Sequence, residues 1–84
     1  MDATDLQKIA EAHVALATGQ ARELRKALRM SVLDLGATVG VSGAAISRWE
    51  CGKRTPQGET ALKYARVLEV LRKVASSSPT GGEE

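Results

Sequence analysis

The feature that most constrains this chain is Gly40, which lies between two segments that each follow a serine. Ser31 and Ser42 have the small, oxygen-bearing side chains that cap helix N-termini. Helices are therefore predicted over 31–39 and 43–51. Glycine at position 40 can adopt the left-handed conformation that ends a helix and reverses the chain. The sequence thus predicts two short helices joined by a sharp turn.

Two further residues fit this arrangement. Gly36 is small at the point where the two helices would cross closely, and Ile46 is an apolar residue that would point back into the core. The spacing small–x3–Gly–x5–Ile is typical of a helix-turn-helix unit. Trp49 follows Ile46 by three residues on the same helix, so we interpret it as a packing residue.

Three more helices are predicted from caps and from apolar residues at helical spacing, over 4–17, 20–29 and about 56–75. Thr4 followed by Gln7 is a capping-box pattern that would start the first. Thr55-Pro56 would start the last, because proline is tolerated at the first helical position.

The composition favours the same architecture. Apolar residues make up 43% of the 84, with one Trp and no Phe. Such a composition favours small, closely packed helices over a β-sandwich. We predict an all-α bundle, with residues 1–18 as an extra N-terminal helix, 19–75 as the main domain and 76–84 as a disordered tail.

The net charge of +2 is unevenly distributed. Residues 19–73 carry eleven Lys or Arg against five acidic residues, giving +6, whereas residues 1–18 and 74–84 each carry −2. A basic centre favours a polyanionic partner, most simply nucleic acid. From charge alone, a solvated helical surface is an equal alternative.

Other classes of protein are disfavoured. The single cysteine excludes an internal disulfide, and no apolar run is long enough for a membrane span, so we expect a cytoplasmic protein. No catalytic set, metal-ligand spacing or phosphate-binding glycine loop is recognisable. His13 is interpreted as a packed or half-exposed histidine and not as a metal ligand. We therefore expect no enzyme activity, metal, cofactor or small-molecule ligand.

The stretch LRKALRMSVLDLGATVGVSGAAISRWECGKRTP, from Leu24 to Pro56, closely resembles the lambda-repressor-like family that includes phage Cro proteins and XRE regulators. The run Gly-Val-Ser…Ile-Ser-x-Trp-Glu-x-Gly-Lys-Arg-x-Pro is its most specific part, and the resemblance covers about 19–70. It implies a five-helix domain whose recognition helix, here about 43–51, enters the major groove of double-stranded DNA.

The resemblance also implies roles for single residues. Those that would face the bases are Gly43, Ala44, Ser47 and Arg48. Those that would contact phosphates are Ser31, Ser42, Arg25, Lys53 and Arg54. Those that would support the site are Glu50, which pairs with Arg25, and Gly36, Gly40, Ile46 and Trp49. Arg48 would donate two hydrogen bonds to a guanine, or else contact only phosphate.

The sequence departs from the family pattern at four positions. Val32 stands where a phosphate-binding glutamine is frequent, and Gly36 replaces a customary alanine. Arg29 and Glu69 each stand at a frequent family glycine. Without a glycine at position 69, the final helix is expected to continue to about Ala75.

The leading hypothesis is a sequence-specific transcriptional regulator, a minimal Cro-like or immunity repressor acting as a homodimer. The alternatives are an antitoxin that also autoregulates its operon, and a restriction–modification controller. The final helix has more apolar surface than one core needs, because Ala61, Leu62, Ala65 and Leu68 would suffice to cover the helix-turn-helix. The predicted dimer seam is Tyr64, Val67, Val70, Leu71 and Val74. Helix 4–17 is a rival seam, or it covers that surface and leaves a monomer.

Overall fold

The computed structural model describes residues 1–77, which form five α-helices and no strand. The all-α prediction is confirmed. The helices are α1 (Ala3–Ala17), α2 (Gln20–Ala27), α3 (Val32–Val39), α4 (Gly43–Glu50) and α5 (Gly58–Ser77). None of these helices combines the length and apolarity needed to cross a membrane.

Serine caps start the two central helices, as predicted. The Ser31 Oγ accepts a hydrogen bond from the Asp34 N–H at 2.9 Å, and the Ser42 Oγ accepts one from the Ala45 N–H at 3.1 Å. Each bond satisfies a backbone donor that the first helical turn leaves without an intrahelical partner.

The predicted start of the first helix was wrong, because the residue that caps it is Asp2 and not Thr4. Asp2 caps α1: its carboxylate accepts from the Asp5 N–H at 2.9 Å, and the Asp5 carboxylate accepts from the Asp2 N–H. Thr4 and Gln7 lie within or beyond the first turn. Both pairs have the required spacing, and the acidic pair carries the charge that a helix N-terminus favours.

The predicted start of the last helix was also wrong. Thr55 does not cap it and Pro56 is not its first residue, because Pro56 is buried in the preceding loop. The chain turns at Gly58, with φ +56°, and the Gln57 carbonyl accepts from the Ala61 N–H at 3.1 Å. The helix therefore begins two residues later than predicted.

The chain after α2 contains a non-glycine residue, Arg29, in a left-handed backbone conformation. Helix α2 stops at Ala27, before the predicted end at residue 29, because Arg29 adopts the left-handed conformation with φ +58°. The Met30 N–H then donates to the Arg25 carbonyl, and the Arg29 N–H donates to the Lys26 carbonyl. This is a Schellman motif, in which glycine is usual at the position of Arg29.

The main core lies between α5 and the other four helices, and Ile46 and Trp49 are the buried residues that α4 contributes to it. Its largest fully buried side chains are Tyr64, Leu35, Ile46 and Leu68. Helix α1 contributes Ala12, Ala15 and Leu16 to this core. An ion pair of 2.8 Å from Lys8 to Glu69 also joins α1 to α5, and the hydrogen bond lowers the pKa of Glu69.

The inward face of α5 differs from the prediction. Ala61 and Leu62 cluster with Ile9 of α1 instead of covering the helix-turn-helix unit alone. Tyr64 and Leu71, predicted in the dimer seam, are buried in the main core. Because α1 covers one side of α5, more of the α5 surface is inside the monomer than the sequence pattern indicated.

Other apolar side chains of α5 stay at the surface. Val70 is 58% exposed and Val74 is 49% exposed, while Val67 is half-buried against the core. Helix α5 continues without a break through Glu69, as predicted, and is helical as far as Ser77, the last described residue. Ser76 and Ser77 are thus helical, and the remainder of the predicted tail lies outside the described residues.

Replacing Arg29 by glycine should stabilise the protein. A side chain at φ +58° is strained, and glycine removes that strain at some cost in unfolded-state entropy. We expect Arg29→Gly to raise the free energy of unfolding by about 0.5–1 kcal/mol, measured by urea denaturation. Arg29→Ala is the matched control, since it removes the charge but keeps the Cβ. Equal stabilisation by both substitutions would contradict this explanation.

Candidate nucleic-acid interface

The turn between α3 and α4 depends on a very close backbone approach at Gly36. A Cβ atom at this position would lie 2.6 Å from the Val41 carbonyl oxygen and 2.9 Å from the Ser42 carbonyl carbon. The Gly36 carbonyl accepts from the N–H groups of Gly40 and Val41, at 2.7 and 2.8 Å. Gly40 has φ +94°, as its predicted role requires. Only glycine fits at position 36 without a shift of the following turn.

Helix α4, the predicted recognition helix, has one buried and one exposed face. Ile46 and Trp49 are buried, as predicted, whereas Ala44, Ser47 and Arg48 are exposed. These three residues recur at three- and four-residue spacing, so they share one face. The structure therefore brings the predicted base-reading side chains together on a surface that a large ligand can reach.

Gly43 has a packing role that the sequence did not reveal. It is the first residue of α4, and a Cβ there would lie 3.3 Å from the backbone N and Cα of Leu33 on α3. The absence of a side chain at this position lets the start of α4 pack tightly against α3. The predicted contact of Gly43 with DNA remains a prediction.

A basic loop, residues 51–57, follows α4. Gly52, with φ +79°, allows the Lys53 and Arg54 N–H groups to donate to the Arg48 carbonyl, at 2.9 and 3.3 Å. The side chains of Lys53 and Arg54 are exposed. The loop backbone therefore places two positive side chains directly beside the exposed face of α4.

A polar groove of about 460 Å³ lies between α4 and this loop. Arg48 and Arg54 both line it, so two guanidinium groups border the same depression. Gln57 and Thr60, which the sequence analysis did not select, line it as well. Gln57 is the last residue of the basic loop and Thr60 lies in the first turn of α5, so their closeness to Lys53 and Arg54 in the sequence could have indicated them.

Arg25 and Glu50 form the predicted pair. The Arg25 Nε and Nη2 donate to the two Glu50 carboxylate oxygens at 2.7 and 2.9 Å, and Nη1 donates to the Met30 carbonyl at 2.9 Å. The two side chains are only 13% and 4% exposed. The hydrogen bond to Glu50 raises the pKa of Arg25. Most of the guanidinium is thus committed inside the protein, which leaves little of it for a phosphate.

The other predicted phosphate ligands differ in what they have available. Ser31 and Ser42 are exposed, and because each Oγ accepts a capping bond, its hydroxyl hydrogen can still donate to an anion. Val32 packs partly buried against the core. At that position the chain uses apolar packing in place of a phosphate-binding amide.

The ion pair lies beside an aromatic contact. Trp49 and Tyr64 pack edge to face, with ring centroids 5.1 Å apart. The Tyr64 hydroxyl has no hydrogen-bond partner within residues 1–77, and burial raises its pKa. Trp49 therefore anchors α4 to α5, in agreement with its interpretation as a packing residue.

The described residues contain no group of three His, Cys, Asp or Glu side chains placed to hold a metal ion. Cys51 is exposed at the end of α4. The chemistry that this surface offers consists of guanidinium, ammonium, hydroxyl and methyl groups. Such groups suit the noncovalent recognition of a polyanion.

Comparison with known proteins places a helix-turn-helix domain in the same part of the chain as this surface. The profile of a family described as helix-turn-helix matches residues 22–71. The HTH-type transcriptional regulator RghRB of Bacillus subtilis (strain 168) is 48% identical over 52 residues, which are 61% of this chain and 37% of that protein. Repressor protein C2 of Salmonella phage P22 is 42% identical over 48 residues, 57% of this chain and 22% of that protein. The similarity thus covers well under half the length of each relative. No solved structure matches the chain significantly.

Breaking the ion pair should destabilise the protein in a non-additive way. Arg25→Met or Glu50→Gln leaves the other group buried without its partner, at about 1–3 kcal/mol of unfolding free energy each. The double variant should lose clearly less than the sum, because the two groups act as a unit. Urea denaturation of the four proteins measures this coupling.

The pair of Lys8 and Glu69, whose side chains are 28% and 45% exposed, provides a control for this cycle. Lys8→Met with Glu69→Gln removes an ion pair that solvent screens, so it should show a smaller loss and weaker coupling. Additive effects at positions 25 and 50 would show that the buried pair is not a unit.

Proposed function

Because this chain belongs to the helix-turn-helix family, as the match over residues 22–71 shows, we propose that it is a sequence-specific transcriptional regulator of the repressor type that binds double-stranded DNA. The observation that carries the proposal is the single surface formed by the exposed face of α4 and the basic loop. The proteins similar to it are named a transcriptional regulator and a repressor. Its place of action would be the cytoplasm.

In this proposal α4 lies in the major groove with Ala44, Ser47 and Arg48 toward the bases. Arg48 donates two hydrogen bonds to a guanine, and the Ala44 methyl contacts a thymine methyl. Gly43 lets the start of α4 pack tightly against α3, which sets the position of this face of α4 relative to α3. Arg25 acts mainly through Glu50, by fixing the C-terminal end of α4.

Phosphate contacts fall to Lys53 and Arg54 in the basic loop and to the hydroxyl groups of Ser31 and Ser42. These contacts set register and affinity but carry no sequence information. In this proposal the groove of about 460 Å³ bordered by Arg48 and Arg54 receives part of the sugar–phosphate backbone.

Single substitutions should separate the two kinds of contact. Lys53→Ala and Arg54→Ala should weaken binding to cognate and random duplexes alike, each lowering the salt slope by about one. Arg48→Ala should cost about 1–3 kcal/mol on the cognate duplex and relax the preference at one base pair. Selection from a random duplex pool supplies the cognate site, and fluorescence anisotropy over a salt series gives the affinities.

Lys73→Ala serves as the charge control, because this exposed lysine lies near the far end of α5. It should change the salt slope less than Lys53→Ala does. Equal losses on cognate and random DNA for Arg48→Ala would reduce that residue to a phosphate contact. Absence of any DNA binding by the wild-type protein would refute the proposal.

We also propose a homodimer on a near-palindromic operator, with a seam revised from the sequence prediction. Val67 and Val70 border an apolar groove of about 270 Å³ whose other walls include Met30 and Thr38. Val74 is exposed one turn further along α5. Tyr64 and Leu71 act in the core beneath this surface. A two-fold contact here would place two recognition helices about 34 Å apart, one turn of DNA.

Charges placed on this surface should abolish the dimer without unfolding the monomer. Val70→Glu with Val74→Glu is expected to give a folded monomer with weak operator binding, measured by sedimentation and circular dichroism. The matched control is Leu6→Glu with Val14→Glu, two similarly exposed residues on α1. If the control variant becomes monomeric and the α5 variant stays dimeric, the seam lies on α1.

The exposed face of α1 keeps a second candidate function open. Leu6 and Val14 are 57% and 60% exposed, and a shallow groove of about 310 Å³ lies beside Val14. An antitoxin that binds its toxin through this face and its own operator through α4 would use both surfaces. A toxin reading frame beside the gene would favour that candidate.

A further inference from the structure

The segment that carries Lys53 and Arg54 has few packing contacts on the side that faces α1. A cavity of about 280 Å³ lies under it, lined by Leu16 and Ala17 of α1 and by Gly52, Arg54 and Thr55 of the basic loop. Residues 51–55 are all exposed. Because packing does not hold residues 51–55, their position depends on the hydrogen bonds at the two ends of the segment and on the buried Pro56 that follows it.

One end is fixed by the recognition helix. The N–H groups of Gly52, Lys53 and Arg54 donate to carbonyl groups of the last turn of α4. These bonds fix where the loop leaves the helix. They do not fix its return toward α5, which passes through Thr55 and Pro56.

The other end is fixed by α1. The His13 Nε2 lies 3.0 Å from the Pro56 carbonyl oxygen, which is 43 residues away along the chain. A carbonyl oxygen only accepts, so Nε2 must carry the hydrogen. Within residues 1–77, this is the side-chain hydrogen bond that reaches the basic loop. His13 also borders the cavity beneath the loop.

The position of His13 is itself well determined. It is half-buried on α1, between the core residues Ala12 and Leu16. Helix α1 is held to α5 by this packing and by the ion pair from Lys8 to Glu69. The imidazole is therefore a hydrogen-bond donor whose position is fixed by the packing of α1. Such a donor can hold the Pro56 end of the basic loop in one position.

We propose that His13 is a positioning residue for DNA binding, which holds the basic loop in its binding conformation before DNA arrives. The inference rests on the proposed function and gives α1 a part in it, although α1 lies outside residues 22–71. With the loop already ordered, binding through Lys53 and Arg54 does not have to supply the free energy of ordering it.

The test compares His13→Met with His13→Gln. Methionine suits a helix and approximates the reach of the ring but has no donor, whereas the glutamine amide can place an N–H near the position of Nε2. Loss of one hydrogen bond should weaken binding to a random-sequence duplex about 2–10-fold for His13→Met. The salt slope should stay unchanged, because both charges remain. His13→Gln should recover most of the affinity.

Two measurements on the free protein support this comparison. Amide hydrogen exchange of Lys53–Thr55 should be faster in His13→Met than in the wild type, with the exchange of α5 unchanged. His13 is the chain's single histidine, so its ring nitrogens can be assigned without ambiguity by 15N NMR. The neutral ring should carry its hydrogen on Nε2.

The outcomes of these experiments distinguish the role of His13 from the proposed function. Wild-type affinity and loop exchange in a folded His13→Met variant would overturn the inference, and so would an Nδ1–H tautomer in the wild type. A His13→Gln variant as weak as His13→Met would assign the effect to packing of the ring and refute a role for the hydrogen bond. If the wild type binds no DNA, the proposed function fails. If the wild type binds and His13→Met binds equally well, only this inference fails.

Discussion

The two-pronged ion pair between Arg25 and Glu50 determines the orientation of α4. An eight-residue helix is unstable alone, so α4 takes its orientation from contacts at its ends. Glu50 ties the last turn to α2, and the third donor of Arg25 fixes the Met30 carbonyl at the entrance to α3. A buried pair of this kind adds little net stability, but its geometry is directional. Its main effect here is to select one orientation of α4.

At the other end of α4 the constraint is steric. The close approach at Gly36 and the tight contact at Gly43 bring α3 and α4 together through backbone atoms, where a side chain would hold them apart. Trp49 adds a third constraint on α4, because it packs edge to face against Tyr64 of α5. The exposed face of α4 and the loop after it are thus carried on a frame with little freedom, which suits a surface that must match the shape of a DNA groove.

Local features of this fold could be predicted from the sequence, whereas features set by tertiary packing could not. The turn at Gly40, the caps at Ser31 and Ser42 and the inward position of Ile46 depend on neighbouring residues, and all were predicted. The resemblance to lambda-repressor-like domains is confirmed, and it correctly paired Arg25 with Glu50. The burial of Tyr64 and Leu71 was missed because periodicity shows that a face is apolar without showing what covers it. The start of α5 was missed because Pro56 is buried in the loop and contacts His13, 43 residues away, and neighbouring residues do not reveal such a contact.

The packing of α1 bears on how this DNA-binding unit can be moved between proteins. The segment shared with the family begins at residue 22, but the folding unit begins near Asp2, since Ala12, Ala15 and Leu16 fill part of the same core. A fusion cut at the family boundary would leave Ala61 and Leu62 uncovered where Ile9 now lies. Recombination that exchanges only the shared segment would therefore separate α5 from the helix that shields it. In this protein the unit that must be transferred whole includes α1, and it is therefore larger than the segment that matches the family.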